Sequence, residues 1–229
     1  MKKTIIAAMV MLLVGTTAAF ALYDGSQVVD YAGLSVGVSY VNEKYDVQLI
    51  GGGGRETDTA LQLDITLTDY VFVGSAPVGL YMDMGALINL NSKYELNGER
   101  AGEAGKSPVY ADVTLGAAFK TSLGSKLNLF VGAGPEFTYF TRTYDYWDGL
   151  NHHYVEKTFM TLGLAANGEV LFDLGGGLYL SAGARASVYF LKWMTNEDKS
   201  WWQYESYSKD TENYFGFRGT AKVGVYFAF

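Results

Sequence analysis

The stretch Lys222-Val223-Gly224-Val225-Tyr226-Phe227-Ala228-Phe229 closes the chain and decides how the rest is read. Val223, Val225, Phe227 and Phe229 fall on one side of an extended segment, and Lys222 and Tyr226 on the other. That is the period-two signature of a strand with one apolar face. Extended backwards, the pattern adds Phe215, Phe217 and Ala221 to the apolar side and Arg218 and Thr220 to the polar side. The segment 215–229 therefore predicts an amphipathic strand ending in an aromatic residue.

Seven more segments repeat this alternation. Leu34, Val36, Val38 and Tyr40 oppose Ser35, Gly37 and Ser39; Leu61, Leu63, Ile65 and Leu67 oppose Gln62, Asp64, Thr66 and Thr68. Leu80, Met82, Met84, Ala86 and Ile88 oppose Tyr81, Asp83, Gly85 and Asn89, and Val113 to Phe119 oppose Asp112 to Lys120 in the same way. The stretches 127–141, 158–172 and 178–191 complete a set of eight strands. Their connections alternate in length. The segments 69–77, 121–126 and 173–177 are short, whereas 42–58, 91–108, 142–157 and 192–214 are long and are expected to be loops. An even number of strands with strictly alternating short and long connections predicts an all-β, eight-stranded, antiparallel up-and-down transmembrane β-barrel.

The N-terminus and the composition agree with export to a membrane crossed by strands. Lys2 and Lys3 precede an apolar core, Ile5 to Val14, and Ala19-Phe20-Ala21 fits a cleavage site, so 1–21 reads as a signal peptide and 22–229 as one barrel domain. Without those 21 residues the chain carries 15 basic and 24 acidic residues and no basic run, which excludes nucleic acid as a partner. It has no cysteine, so no disulfide framework. The 28 glycines, 18 tyrosines and 13 phenylalanines suit strands and turns.

Either face of such strands could point outward, as in a soluble barrel or a membrane one. The polar face is mostly Gly, Ser, Thr and Asn, which fits a cramped lumen better than a water-facing surface. The apolar face carries no charge at any strand centre, as hydrocarbon requires. Tyr40, Tyr139, Phe190, Phe215 and Phe217 near one end, and Phe119, Phe227 and Phe229 near the other, form two aromatic girdles. Inside, Asp64, Asp83 and Asp112 lie on strands two to four, and Arg185, Arg218 and Lys222 on strands seven and eight. In an eight-membered ring these walls face each other, so pairs such as Asp83 with Arg185, and Asp112 with Arg218 or Lys222, are expected across the lumen. The pairs would act as a structural plug or as the gate of a narrow pore.

With Lys222, Gly224, Phe227 and Phe229 in place, the terminal octapeptide resembles the signal of outer-membrane proteins read by the barrel-assembly machinery. More broadly the chain resembles the small eight-stranded family that includes the OmpA barrel, OmpX, OmpW and the opacity-type adhesins. Its one local echo is Leu129-Phe130-Val131-Gly132-Ala133-Gly134. The resemblance implies outer-membrane localisation in contact with lipid. It also implies assembly through that machinery and periplasmic chaperones, and no cofactor.

Function then falls to the outer connections. Tyr144, Tyr146 and Trp147 in the third and Trp201, Trp202 and Tyr204 in the fourth suit contact with a host or envelope surface partner, unless extended strands use them for cross-hairpin pairing. Two alternatives compete: an OmpW-like narrow channel for small apolar solutes, and, more remotely, a lipid-modifying barrel enzyme. For the enzyme, His152 and His153 stand near Asp145 and Asp148, but no serine lies in that connection, so no catalytic or metal site is assigned. Gly51 to Gly54 reads as a mobile tip, since no Lys-Ser/Thr follows it.

Overall fold

The computed structural model describes residues 28–49, 52–102, 110–147, 152–199, 204–210 and 212–229. The proposed signal peptide, 1–21, lies outside them. The strands are β1 (Val28–Leu49), β2 (Gly52–Val73), β3 (Val78–Leu96), β4 (Glu99–Gly102), β5 (Tyr110–Ser122), β6 (Leu127–Trp147), β7 (His152–Gly175), β8 (Leu178–Lys199), β9 (Tyr204–Asp210) and β10 (Glu212–Ala228). Eight of them cross in sequence, every neighbour antiparallel, and β10 pairs with both β1 and β8 to close the ring. Closure leaves no unpaired edge at membrane depth, where no water could satisfy one. β4 and β9 are short additions that pair with β3 and β8.

The closing seam runs from Tyr31 opposite Ala228 to Lys44 opposite Phe215 without a break in register. The terminal strand is thus a full member of the wall. The short connections and the β1 and β10 ends lie at one end of the ring, which the length rule makes the periplasmic end.

The apolar face points outward. Leu34, Leu67, Leu80, Leu115, Leu164, Leu180 and Val223 lie on the outer surface, with Leu67 54% and Val223 63% exposed. Such a surface in water would be an aggregation hazard; in lipid it is the required one. Tyr40, Phe190, Phe215 and Phe217 are exposed toward the outer end, and Phe119, Phe227 and Phe229 toward the periplasmic end.

Two expectations need correction. The segments 42–58, 91–108, 142–157 and 192–214 are not simply loops. β1 and β2 run 22 residues each and pair from Val28 opposite Val73 to Leu49 opposite Gly52. β6 and β7 stay paired out to Trp147 opposite His152. Backbone hydrogen bonding needs no apolar side chain, so the ladder continues where the apolar alternation stops. Gly52, Gly53 and Gly54 are accordingly strand residues opposite Leu49, Gln48 and Val47 rather than a mobile tip. A 22-residue strand at about 3.3 Å per residue and about 40° tilt rises about 55 Å along the barrel axis, roughly twice the apolar band.

The second correction concerns the lumen, which holds far more than small residues. Tyr70, Phe72, Tyr81, Phe130, Leu171 and Tyr226 form one buried cluster inside it, and Leu87, Tyr110, Phe140 and Phe159 another. The glycines make room for these rings. A Cβ on Gly132 would come within 2.4 Å of the Tyr81 ring, and one on Gly33 within 2.4 Å of the Tyr226 ring. Small residues on one strand thus serve as seats for aromatic side chains of others.

If the outward face lies in lipid, a charge at its centre must be costly. Ile65, between Val36 on β1 and Ala86 on β3, sits mid-belt. Ile65→Arg should lower stability by about 2–4 kcal/mol in urea titrations of the vesicle-folded protein. Unchanged stability would mean that this face is not in hydrocarbon.

Candidate functional site: a filled lumen and a tall outer wall

The inward side chains stack in three layers. At the periplasmic end the Tyr70 ring lies 5.3 Å from that of Tyr81 and 5.2 Å from that of Phe130. Tyr31, partly buried, packs edge-on to Phe130 at 4.8 Å. The Lys120 ammonium sits 4.3 Å from the Phe72 ring centre. Together these rings close the bottom of the lumen.

Above them lies a charged layer. Arg185 Nη1 donates to Asp83 at 3.1 Å and to Asp112 at 3.4 Å, while its Nη2 reaches Glu136 at 2.8 Å and Thr114 at 2.7 Å. Arg218 donates to Asp112 through Nη1 and to Glu136 through Nη2. Lys222 lies 2.8 Å from Glu169 and 3.8 Å from Asp83. Glu169 also accepts from Tyr226 at 2.8 Å, Asn167 at 2.6 Å and Tyr70 at 3.3 Å. All of these charged side chains are buried. Charge-assisted bonds on both partners offset the desolvation that isolated ions would suffer there.

Asp64, grouped with these acids from the sequence, stands apart. It accepts from Ser39 at 2.9 Å, Thr66 at 2.6 Å and Thr220 at 3.4 Å and makes no ion pair among the described residues. Glu136 and Glu169 are the members that sequence reasoning left out. They are the inward acids of β6 and β7, and three cations set against three aspartates already balanced without them. Counting every inward charge strand by strand would have found both.

The third layer is near the outer end. Lys192 Nζ donates to Glu43 at 2.7 Å, and Tyr214 donates to the other Glu43 oxygen at 2.9 Å. The same ammonium lies 4.1 Å from the Tyr45 ring centre, 4.7 Å from Phe159 and 5.1 Å from Tyr214. Ring faces attract a cation, most strongly when water is excluded.

Beyond this level the described ladders separate into two groups. The β3–β5 pairing ends at Leu87 opposite Tyr110, and the β8–β10 pairing at Tyr189 opposite Gly216. Past those points β10, β1, β2, β3 and β4 continue as one sheet, and β6, β7, β8 and β9 as another. Tyr144, Tyr146 and Trp147 lie on β6 opposite Val155, His153 and His152, and Tyr204 on β9 opposite Lys199. The side chains of these four lie outside the described set, as do Trp201 and Trp202 entirely. Asp145 is opposite Tyr154, and Asp148 is outside the described residues.

In the terminal octapeptide, Lys222 is buried inward, and Phe227 and Phe229 point outward at 56% and 73% exposure. A Cβ on Gly224 would fall 2.3 Å from Ser35 Oγ, so a larger residue there would push on β1.

No protein-family model matches the chain, and no curated protein matches it in sequence. Solved structures do match. A major outer membrane protein from Thermus thermophilus is 14% identical, covers 85% of this chain and 99% of its own, and superposes with a TM-score of 0.54. Neisserial surface protein A is 11% identical over 86% of this chain and 97% of its own, at a TM-score of 0.49. The outer membrane protein AlkL, solved in lipid bilayers, is 19% identical over 90% and 93%, at 0.47. At these identities the likeness concerns fold. Eight antiparallel crossings, an apolar belt and two aromatic girdles are the fold of an outer-membrane β-barrel.

Because Lys222 is the only cation within 4 Å of Glu169 among the described residues, Lys222→Met should be severe. The expected loss is about 3–5 kcal/mol, read from urea unfolding in vesicles. Adding Glu169→Gln to it should recover part of that loss, since the stranded charge is then removed. A loss below about 1 kcal/mol would mean that the pair is solvated.

Proposed function

We propose that this outer-membrane barrel is a surface-interaction protein, its lumen a structural core and its projecting sheets the contact surface. The observation that carries the reading is the continuation of the ladders past the apolar belt as two paired sheets. A wall meant only to anchor in lipid has no need of strands about twice the height of the belt. Tyr144, Tyr146, Trp147 and Tyr204 belong to those projecting segments, and aromatic residues are rich sources of contact energy at protein surfaces. A host or envelope surface is the partner this placement suits, with outer-membrane lipid around the belt.

The three filled layers argue against the narrow-channel reading. A small apolar solute crossing the lumen would have to displace the buried Arg185 and Arg218 lattice and the ring cluster beneath it. Lys222, Gly224, Phe227 and Phe229 keep their proposed role as the segment offered to the assembly machinery, since a strand with unpaired edges can add to another sheet.

The experiment combines two readouts on one barrel. Purified protein in planar bilayers should show no steady conductance. Bacteria displaying it should adhere to an extracellular-matrix gel or to epithelial cells, and replacing 142–157 by a two-residue turn should cut adherence several-fold. Steady conductance together with unchanged adherence would overturn the proposal in favour of a channel.

A further inference from the structure

We propose that Asp30 and Asp69 form a proton-sharing carboxyl pair on the outer wall at its periplasmic end, and that full ionisation of the pair loosens the closing seam beside it. Asp30 on β1 lies opposite Val71, and Asp69 on β2 opposite Ala32, so the two are diagonal neighbours across the ladder. Their positions continue the outward rows, Asp30 that of Leu34 and Val36, and Asp69 that of Leu67 and Ile65. Ala32 is small and leaves room between them, and the two carboxyls are hydrogen-bonded to each other.

A hydrogen bond between two carboxyls requires a proton on one of them. Two carboxylates in contact ionise together only at a cost, so such a pair keeps one proton where a lone aspartate has lost it. Burial adds to this. Both aspartates are partly buried, and the Oδ1 atom of each is buried without a donor among the described residues. The pair lies level with Phe227 and Phe229, in the girdle at headgroup level and outside the hydrocarbon. Desolvation first, and then the neighbouring Asp30, hold the Asp69 carboxyl above the usual aspartate range.

Among the described residues no basic group offsets the pair. β10 brings Phe227 and Phe229 to this corner, and Phe229 adds only its own carboxylate. β3 places Met82 opposite Asp69. Lys120, at the same end, turns into the lumen over the Phe72 and Tyr31 rings, and Lys126 lies on the turn between β5 and β6. The sequence 4–27 ahead of β1 contains no lysine or arginine.

The seam feels a second charge here directly. Asp30 and Phe229 exchange both backbone hydrogen bonds, each at 3.1 Å, and these form the last rung between β1 and β10. Two ionised carboxylates repel and turn apart toward water, which draws the end of β1 away from β2 and from that rung. The folded pair binds a proton that the unfolded chain has released at neutral pH. Its contribution to stability is therefore fully present below the ordinary aspartate range and is lost as pH rises through the pair's higher one. The seam is tightest in mild acid and looser in alkali.

Three readouts on the full barrel test this, each set against Asp69→Asn, in which the second charge cannot form. The infrared difference between wild type and variant in micelles should show a carboxylic-acid C=O band at about pH 6 that is gone by about pH 9.5. Relative to the variant, the wild-type folding constant from urea titrations in phosphatidylcholine vesicles should fall at least about tenfold over the same range. Carboxypeptidase A should release Phe229 from the micellar wild type at least about fivefold faster than from the variant at about pH 9.5, and at similar rates at about pH 6. Asp30→Asn, which removes the partner, serves as the reference if Asp69→Asn does not reach the heat-resistant folded band. Absence of the acid band, or a wild-type-to-variant ratio that stays constant with pH, would overturn the proposal.

Discussion

Three cations on two adjacent strands, Arg185, Arg218 and Lys222, bind four carboxylates from β3, β5, β6 and β7, and the inside of the barrel is organised around that lattice. The requirement originates outside. Lipid takes the apolar face of every strand, so within the belt alternation sends the opposite, polar side chains into a space too narrow to hydrate them. An eight-stranded ring leaves room for side chains and little else. The interior must then satisfy its own charges, and it does so across the lumen rather than along a strand. The aromatic layer lies below the lattice and the Lys192 cage above it.

That division of labour explains the glycines as well. Tyr81 on β3 lies over Gly132 on β6, one strand beyond its neighbour, and Tyr226 on β10 over Gly33 on the adjacent β1, so a ring from one strand occupies the volume that a nearby strand gives up. Tyr226 then delivers its hydroxyl to Glu169, which joins the aromatic layer to the charged one. A substitution at either glycine would be felt in the ion lattice through the displaced ring.

The number of crossings, their antiparallel order and the outward face were all readable in the sequence, because a period of two with uncharged centres has one physical solution in lipid. The heights of the strands were not. Residues such as Thr143, Asp145 and Tyr146 have no apolar periodicity, and their pairing depends only on backbone groups. The contents of the lumen were half readable. Arg185, Arg218 and Lys222 stood out as inward cations, while Glu136 and Glu169 were passed over because three inward aspartates already balanced those cations. The rings were hidden because Tyr81 and Tyr226 looked like ordinary strand tyrosines. Only the packing shows that Lys192 and Glu43, 149 residues apart, meet in one cage.

The interior holds together because its buried charges act as one coupled lattice. A double-mutant cycle between Arg218 and Glu136, using Arg218→Met, Glu136→Gln and the pair in vesicle-folded protein, measures it directly. The expected coupling free energy is about 1.5–3 kcal/mol, with the double variant clearly less destabilised than the sum of the singles. Additive effects within about 0.5 kcal/mol would contradict it, because the two side chains would then be independent occupants of a hydrated lumen.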